Sequence, residues 1–386
     1  MQLIARTLEN IHSPIGEAFA LLDQREDTRP LLDMSQAAPS HPTAPQIADR
    51  IAAIARSPDG GRYCPQEGLP HLREAFATEL SSGYGASVSA ANVLVTAGCN
   101  QAFCLVASTL AGKGDQIILP RPFYFNHDMW LRLDGIEPVH MATTDEGLPD
   151  IVACRSLITE RTAAIVLVTP GNPTGTTIGP SLIAEFAEVA RSNDVALILD
   201  ETYRSYRNTT APAHEMFSDP DWEDTVVSLH SFSKEFAIPG YRVGAAVGSP
   251  VLLAEAMKLL DCVAICAPRI GQEAAHAGLT EAIDWRAEKV AAVADRQERF
   301  EQVMAGRPGG FELTSSGAYF GWVRHPFEGL ASTDVVRRLL VDHSMLTIPG
   351  HAFTGSDDGF IRFSFANLPL GDFDELEARL ASVALS

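Results

Sequence analysis

The chain has 386 residues, 46% hydrophobic and 20% charged, enough for one large or two medium domains around a sizeable core. Its formal net charge of −20 argues against nucleic acid as a partner, because neutralising phosphates takes a basic face. The cysteines (Cys64, Cys99, Cys104, Cys154, Cys262, Cys266) form no C-x-x-C pair, so neither a metal site nor a disulfide framework is expected, and a reducing cytoplasm is the simpler setting.

The opening stretch "MQLIARTLENIHSPIGEAFALL" alternates polar and apolar residues at helical spacing. It lacks the basic start, apolar block and cleavage site of a secretory leader. No apolar run approaches membrane-spanning length, so no membrane is expected as a partner. From there short apolar runs alternate with amphipathic stretches. "NVLVTAG" (92–98), "DQIILP" (115–120), "AAIVLVTP" (163–170), "VALILD" (195–200), "VVSLHS" (226–231) and "YRVGAAVG" (241–248) predict strands, nearly unbroken in apolar character as in a sheet covered on both faces. Helices are predicted over 99–112, 125–134, 181–192 and 250–260. This alternation predicts an α/β domain with a mostly parallel sheet flanked by helices.

The last hundred or so residues read differently. A long helical pattern at 284–305 leads to "FELTSSGAYFGWVRHP", "MLTIPG" and "FIRFSFA", which predict shorter strands, with helices near 332–343 and 372–383. The expected organisation is a large α/β domain over 31–290 and a smaller α+β domain built from 1–30 and 291–386.

Four stretches carry chemistry, all just after predicted strands, where open α/β sheets place their ligands. "TAGCNQAF" (96–103) is a strand-to-helix turn whose free backbone N–H groups make an anion site. "VLVTPGNPTG" (166–175) sets Asn172 in a Pro- and Gly-rich loop, which also suits a plain rigid turn. "LILDETY" (197–203) ends an apolar run on Asp200, an acid that needs a cation or a helix to cap, with Tyr203 close by. In "SLHSFSKEFAIPGYRVG" (228–244), Lys234 follows a strand with Ser231 before it and Arg242 after it. A surface lysine is the ordinary alternative. Desolvated or set near another cation, its neutral amine would attack a carbonyl to form a Schiff base, while Ser231 and Arg242 suit a phosphate. One molecule would use all of these groups: pyridoxal 5′-phosphate (PLP), with its phosphate, phenolic oxygen, pyridine nitrogen and aldehyde.

These motifs, in this order and spacing, resemble the class I/II aminotransferases of the fold-type I, aspartate aminotransferase superfamily, and the resemblance covers essentially the whole chain. It implies that Lys234 bears the Schiff base and shuttles the substrate proton. Asp200 would hold the pyridine nitrogen protonated, and Asn172 and Tyr203 would donate to the phenolic oxygen. Ser231, Arg242 and the turn at Gly98, Cys99 and Asn100 would bind the phosphate. In "RPFYFNHDMW" (121–130), Tyr124 matches the aromatic that stacks on the ring, with Phe123 and Phe125 as substitutes and a core cluster as the plain alternative. Tyr63, in "RYCPQEGLPHLREA" (62–75), matches the tyrosine that reaches the phosphate of a partner subunit and implies a homodimer with shared active sites. Arg362, mid-strand in "FIRFSFA" (360–366), matches the arginine that binds the substrate α-carboxylate; a structural salt bridge is the alternative.

The chain departs from the family pattern in one place. In "MSQAAPSHPTAP" the family usually has a glycine whose backbone approaches the substrate carboxylate, and here Ala37 stands there. The resemblance implies exchange of an amino group between an amino acid and a 2-oxo acid. A C–S lyase performing β-elimination on the same fold is the alternative, since the cofactor anchors do not choose the reaction. A PLP-binding regulator attached to a DNA-binding module fits poorly, because the segment ahead of the first motif is too short for a winged helix and the chain is acidic. No arginine is evident for a second substrate carboxylate; Tyr124, Tyr319 and Phe353 are candidates for an apolar pocket, with plain core residues as the alternative.

Overall fold

The computed structural model describes residues 3–207, 209 and 211–383. Its strands in chain order are β1 (Leu32–Asp33), β2 (Val93–Thr96), β3 (Gln116–Pro120), β4 (Glu137–Met141), β5 (Thr162–Val168), β6 (Ala196–Asp200), β7 (Val226–Ser231), β8 (Gly244–Val247), β9 (Glu312–Gly317), β10 (Phe320–Arg324), β11 (Met345–Leu346), β12 (Ile348–Pro349) and β13 (Phe360–Phe363). Seven of them form one sheet in the order β2-β8-β7-β6-β5-β3-β4. All its pairings are parallel except those of β8, which runs antiparallel to both β2 and β7.

The apolar runs are buried on both faces, as period-2 alternation requires. Ile165, Leu167, Leu197 and Leu199 pack into one cluster with Phe76 and Phe186, from helices Pro70–Tyr84 and Pro180–Ser192. Ala164, Val166 and Ile198 face the other side, against Phe103 and Leu253 from helices Cys99–Leu110 and Pro250–Val263. Helix Phe125–Asp134 spans the range predicted for it and stops at Gly135, whose φ of +85° is open to a residue without Cβ.

One strand expectation needs correction, and one strand lay outside the sequence reading. The run 241–248 becomes a strand only from Gly244, because a short turn at Pro239–Tyr241 leads into Arg242 with φ +52°. Strand β4, "EPVHM", carries no apolar run and includes Pro138; it forms at the sheet edge, where a missing N–H is tolerated. Helices Pro45–Arg56 and Arg269–Glu281 were likewise outside the sequence reading.

A second sheet, β12-β13-β10-β9, is antiparallel throughout. Its core joins Phe300 of the long helix Ile283–Ala305 to Phe363, Val323 and Leu339. The N-terminal region packs here too: β1 pairs in parallel with β11, and Leu32 and Met34 enter the same cluster. Where the two sheets meet, Gly175 and Gly317 touch backbone to backbone, so a Cβ on Gly175 would lie 2.3 Å from the Gly317 nitrogen. The Ser315 hydroxyl donates to the Thr174 carbonyl beside them at 2.8 Å. Among the described residues no helix is long and apolar enough to cross a membrane, and no group of three or more His, Cys, Asp or Glu is placed to hold a metal ion.

Candidate active site

A cavity of about 540 Å³ opens beyond the C-terminal ends of β6 and β7. Its walls include Ala37, Cys99, Asn100, Tyr124, Asn172, Asp200, Tyr203, Ser231, Lys234, Arg242 and Arg362, so nearly all the candidate residues converge on one space.

Asp200 closes β6 and is 3% exposed. A carboxylate buried so deeply needs partners, and three groups supply them. His127 Nε2 lies 3.3 Å from Oδ2, the Thr202 N–H donates to Oδ1 at 3.0 Å, and the Cys99 thiol lies 3.6 Å from Oδ1. Burial pushes the carboxyl pKa up, but hydrogen bonding and charge from His127, with the Thr202 bonds, outweigh it and hold the group below the ordinary carboxylate range. Asp200 caps no helix, since the next helical turn begins only at Arg204. His127 was not singled out in the sequence. It sits in the first turn of helix Phe125–Asp134, stacked on Phe103 at 3.9 Å between centroids, and only the fold brings it to Asp200.

Lys234 lies on a single helical turn, Phe232–Glu235, directly after β7. Its ammonium donates to the Ala37 carbonyl, so Ala37 meets the site through its backbone. Burial, together with the positive charges of Arg242 and Arg362, lowers its pKa to about 8. The acid next in sequence, Glu235, is turned away toward Arg204 and Arg286.

At one end of the cavity three elements make an anion cradle. Helix Cys99–Leu110 begins there, leaving the N–H groups of Cys99 and Asn100 without helical partners. Ser231 ends β7, its hydroxyl accepting from the Ser233 N–H at 3.3 Å. Arg242 anchors its guanidinium on the carbonyls of Pro239 (2.9 Å) and Ala97 (3.2 Å), which uses two of its five donors. Gly98, with φ +93°, makes this possible: a Cβ there would stand 2.4 Å from Arg242 Nη2.

Arg362, on β13, is 2% exposed and lies 4.9 Å from the ring centroids of both Phe320 and Phe353. Nη1 donates to Asn172 Oδ1 at 2.8 Å and Nη2 to the Ser35 carbonyl, while Nε is buried with no partner. No carboxylate pairs with it among the described residues, which removes the structural salt bridge as its role. Burial brings its pKa down to about 10, against the pull of Tyr203 and Tyr124. Tyr203 is 4% exposed and packs edge-on against Phe320; burial first, then Tyr124, pushes its hydroxyl pKa well up.

Of the three adjacent aromatics, Tyr124 lines the cavity and is held by Asn126 Nδ2 at 3.0 Å, with Asn100 Oδ1 3.4 Å away. Phe125 also reaches the wall, whereas Phe123 is buried against His140. Of the two alternatives for Tyr319 and Phe353, the core is where they lie: both are fully buried, Tyr319 against Tyr203 and Tyr206, Phe353 against Phe125 and Trp322. Tyr63 is 74% exposed and stands outside the cavity of its own chain. The sequence reading also missed Ile15, Gly16 and Phe19, which the short helix Pro14–Ala20 brings over the cavity.

The family model for aminotransferase class I and II matches residues 29–380. An aromatic aminotransferase, ISS1, of Arabidopsis thaliana is 30% identical over 356 residues, covering 89% of this chain and 86% of that protein. An aspartate aminotransferase of Pyrococcus horikoshii is 28% identical over 360 residues, covering 92% and 90%. The structure of aspartate aminotransferase from Thermus thermophilus with maleate superposes with a TM-score of 0.89 over 99% of both chains at 23% identity, a likeness of fold. The chain belongs to the class I and II aminotransferases, PLP-dependent transaminases of fold-type I that move an amino group between an amino acid and a 2-oxo acid.

Proposed function

We propose that PLP is held in this cavity by Lys234, Asp200, Asn172, Tyr203, Ser231, Arg242, Tyr124 and the turn Gly98-Cys99-Asn100. The donor set suits it: an anion cradle at one end, a buried ionised acid at the other, and an amine of lowered pKa between arginines. When bound, PLP supplies an aldehyde for the substrate amine and an electron sink for the charge left at Cα.

Lys234 supports the reading most directly. With a pKa of about 8, a substantial share of its amine is neutral near pH 7.5 and able to take a proton from the substrate Cα and return it elsewhere. Asp200 keeps a fixed negative charge beneath the site, steadied by His127. Arg362 offers its unpartnered Nε to the α-carboxylate, which orients the amino acid with Cα toward Lys234. Ala37 contributes its carbonyl at the same edge.

Tyr63, left on the surface, supports a homodimer in which it completes the phosphate cradle of a partner. Six unpaired cysteines support a cytoplasmic setting. The division into 31–290 and 1–30 with 291–386 is supported by the two sheets and by the pairing of β1 with β11.

Purified protein should show a visible absorbance band that Lys234→Ala abolishes, and it should transfer amino groups from a panel of amino acids to pyruvate or 2-oxoglutarate. A colourless protein that PLP cannot reconstitute overturns the cofactor reading. Release of ammonia and pyruvate from a cysteine conjugate without any oxo acid would replace transamination with β-elimination.

A further inference from the structure

Lys234 is carried on a helical turn of four residues, Phe232–Glu235, too short to hold its own position. The residue after it, Glu235, is 4% exposed and does not line the cavity. A buried carboxylate that the proposed chemistry leaves unused needs another reason for its place.

Its surroundings supply one. Glu235 Oε1 accepts from the Ser205 hydroxyl and lies 3.5 Å from Arg204 Nη2 and 3.6 Å from Arg286 Nη1. Both arginines also meet Glu79 of helix Pro70–Tyr84, Arg286 at 2.8 Å. Two carboxylates thus balance two guanidiniums, which lie 5.4 Å and 5.8 Å from the ring centroids of Phe76 and Phe236. Burial alone would lower the Arg204 pKa; the charges of Glu235 and Glu79 outweigh it and hold the pKa above the ordinary range.

The short turn Arg204–Tyr206 grips the backbone as well. The Tyr206 hydroxyl donates to the Lys234 carbonyl at 2.9 Å, and Tyr206 is 5% exposed. This turn begins directly after Tyr203, so one stretch of chain runs from Asp200 to both anchors of the Lys234 turn. Arg286 extends the hold to helix Ile283–Ala305, whose Phe300 lies in the core of the second sheet.

We infer that Glu235 and Tyr206 are positioning residues: together they fix the turn that aims Lys234 at the substrate Cα, without touching substrate or cofactor themselves. The inference rests on the reading above of Lys234 as the group that moves the proton. A displacement of about 1 Å at such a group costs roughly a hundredfold in rate.

The test compares the parent with Glu235→Ala and Tyr206→Phe. Mixed with PLP, each variant apoprotein should develop the visible band more slowly than the parent, by roughly threefold or more. In the half-reaction of the holoenzyme with the best amino acid of the panel, the saturated rate should fall by roughly tenfold or more. The apparent Kd of that amino acid should stay within about twofold. With the α-deuterated amino acid the isotope effect should be at least as large as in the parent, because proton transfer is the step that has slowed. A loss carried by apparent Kd, or a smaller isotope effect, marks a general structural fault and overturns the inference. A rate equal to the parent's in either variant overturns it too. Should Glu235→Ala fail to fold, with two arginines left facing one carboxylate, Tyr206→Phe decides, since it removes a hydroxyl and keeps the ring. A parent that takes up no PLP overturns the cofactor reading and this inference with it. If the parent takes up PLP yet no amino acid reacts, the transaminase reading fails, and the rate of band formation still decides the positioning.

Discussion

Arg362 on β13 and Asn172 on the loop after β5 share a 2.8 Å hydrogen bond, joining the small sheet to the large one inside the cavity. The guanidinium fork spans Asn172 and the Ser35 carbonyl together, a geometry that a lysine ammonium cannot reproduce.

Arg362→Lys should therefore keep a positive charge yet lose the orientation of the substrate carboxylate. Steady-state kinetics should show kcat/KM for the best amino donor reduced by roughly a hundredfold, about 3 kcal/mol, mostly through KM. The visible absorbance band should survive. An unchanged KM would place the α-carboxylate elsewhere.

Gly98 and Gly114 make a matched pair. Their φ angles are +93° and +94°, but a Cβ on Gly98 meets Arg242 at 2.4 Å while one on Gly114 meets nothing within 4 Å. Both alanine variants should lose about 1 kcal/mol or more of stability from backbone strain alone. Only Gly98→Ala should also weaken PLP binding, by roughly tenfold or more, as read from absorbance titration of the apoprotein. Equal affinities in the two variants would show that Arg242 does not serve the phosphate.

The pKa of Lys234 is lowered from 10.5 to about 8 in the folded chain. An unfolded chain thus binds more protons at this position between those values, and stability rises with pH across that window. The cost is complete below about pH 8 and lifts toward 10.5. Lys234→Met removes it, so the apo variant should melt above the parent at pH 7, with the gap closing by pH 10. A gap that widened with pH would reverse the assigned direction. In the parent, the rate at which apoprotein combines with PLP should rise with an apparent pKa near 8.

Local pattern carried most of the large sheet. The runs in β5, β6 and β7 are long, apolar and buried on both faces, so their sequence has one stable reading. Edge strand β4 has no such burden, and its pattern is correspondingly faint. Asp200 and Ser231 were legible because each ends a strand, with Lys234 three residues further on; Arg242, which lies just ahead of β8 behind the turn Pro239–Tyr241, was singled out by its spacing from Lys234. His127 was illegible for the opposite reason: its partner is far away in sequence, and nothing in "FNHDMW" marks which side of the helix faces Asp200. Tyr319 and Phe353 stayed open between pocket and core because an aromatic reads alike in either place. Ala37, where the family pattern has glycine, meets Lys234 through its carbonyl, a contact that does not depend on its side chain.

The bare backbone contact between Gly175 and Gly317 leaves no cushion of side chains between the Asn172 loop and β9. With Ser315 bonded to Thr174 and Arg362 bonded to Asn172, the two sheets are riveted at three neighbouring points along one seam. A tilt of the small sheet cannot leave that loop behind; the binding groups on both sides of the seam travel as one bracket. The short helix Pro14–Ala20 belongs to the same bracket, since its Ala18 packs with Trp322 and Ile348 of the small sheet while Gly16 and Phe19 lie exposed at the cavity wall.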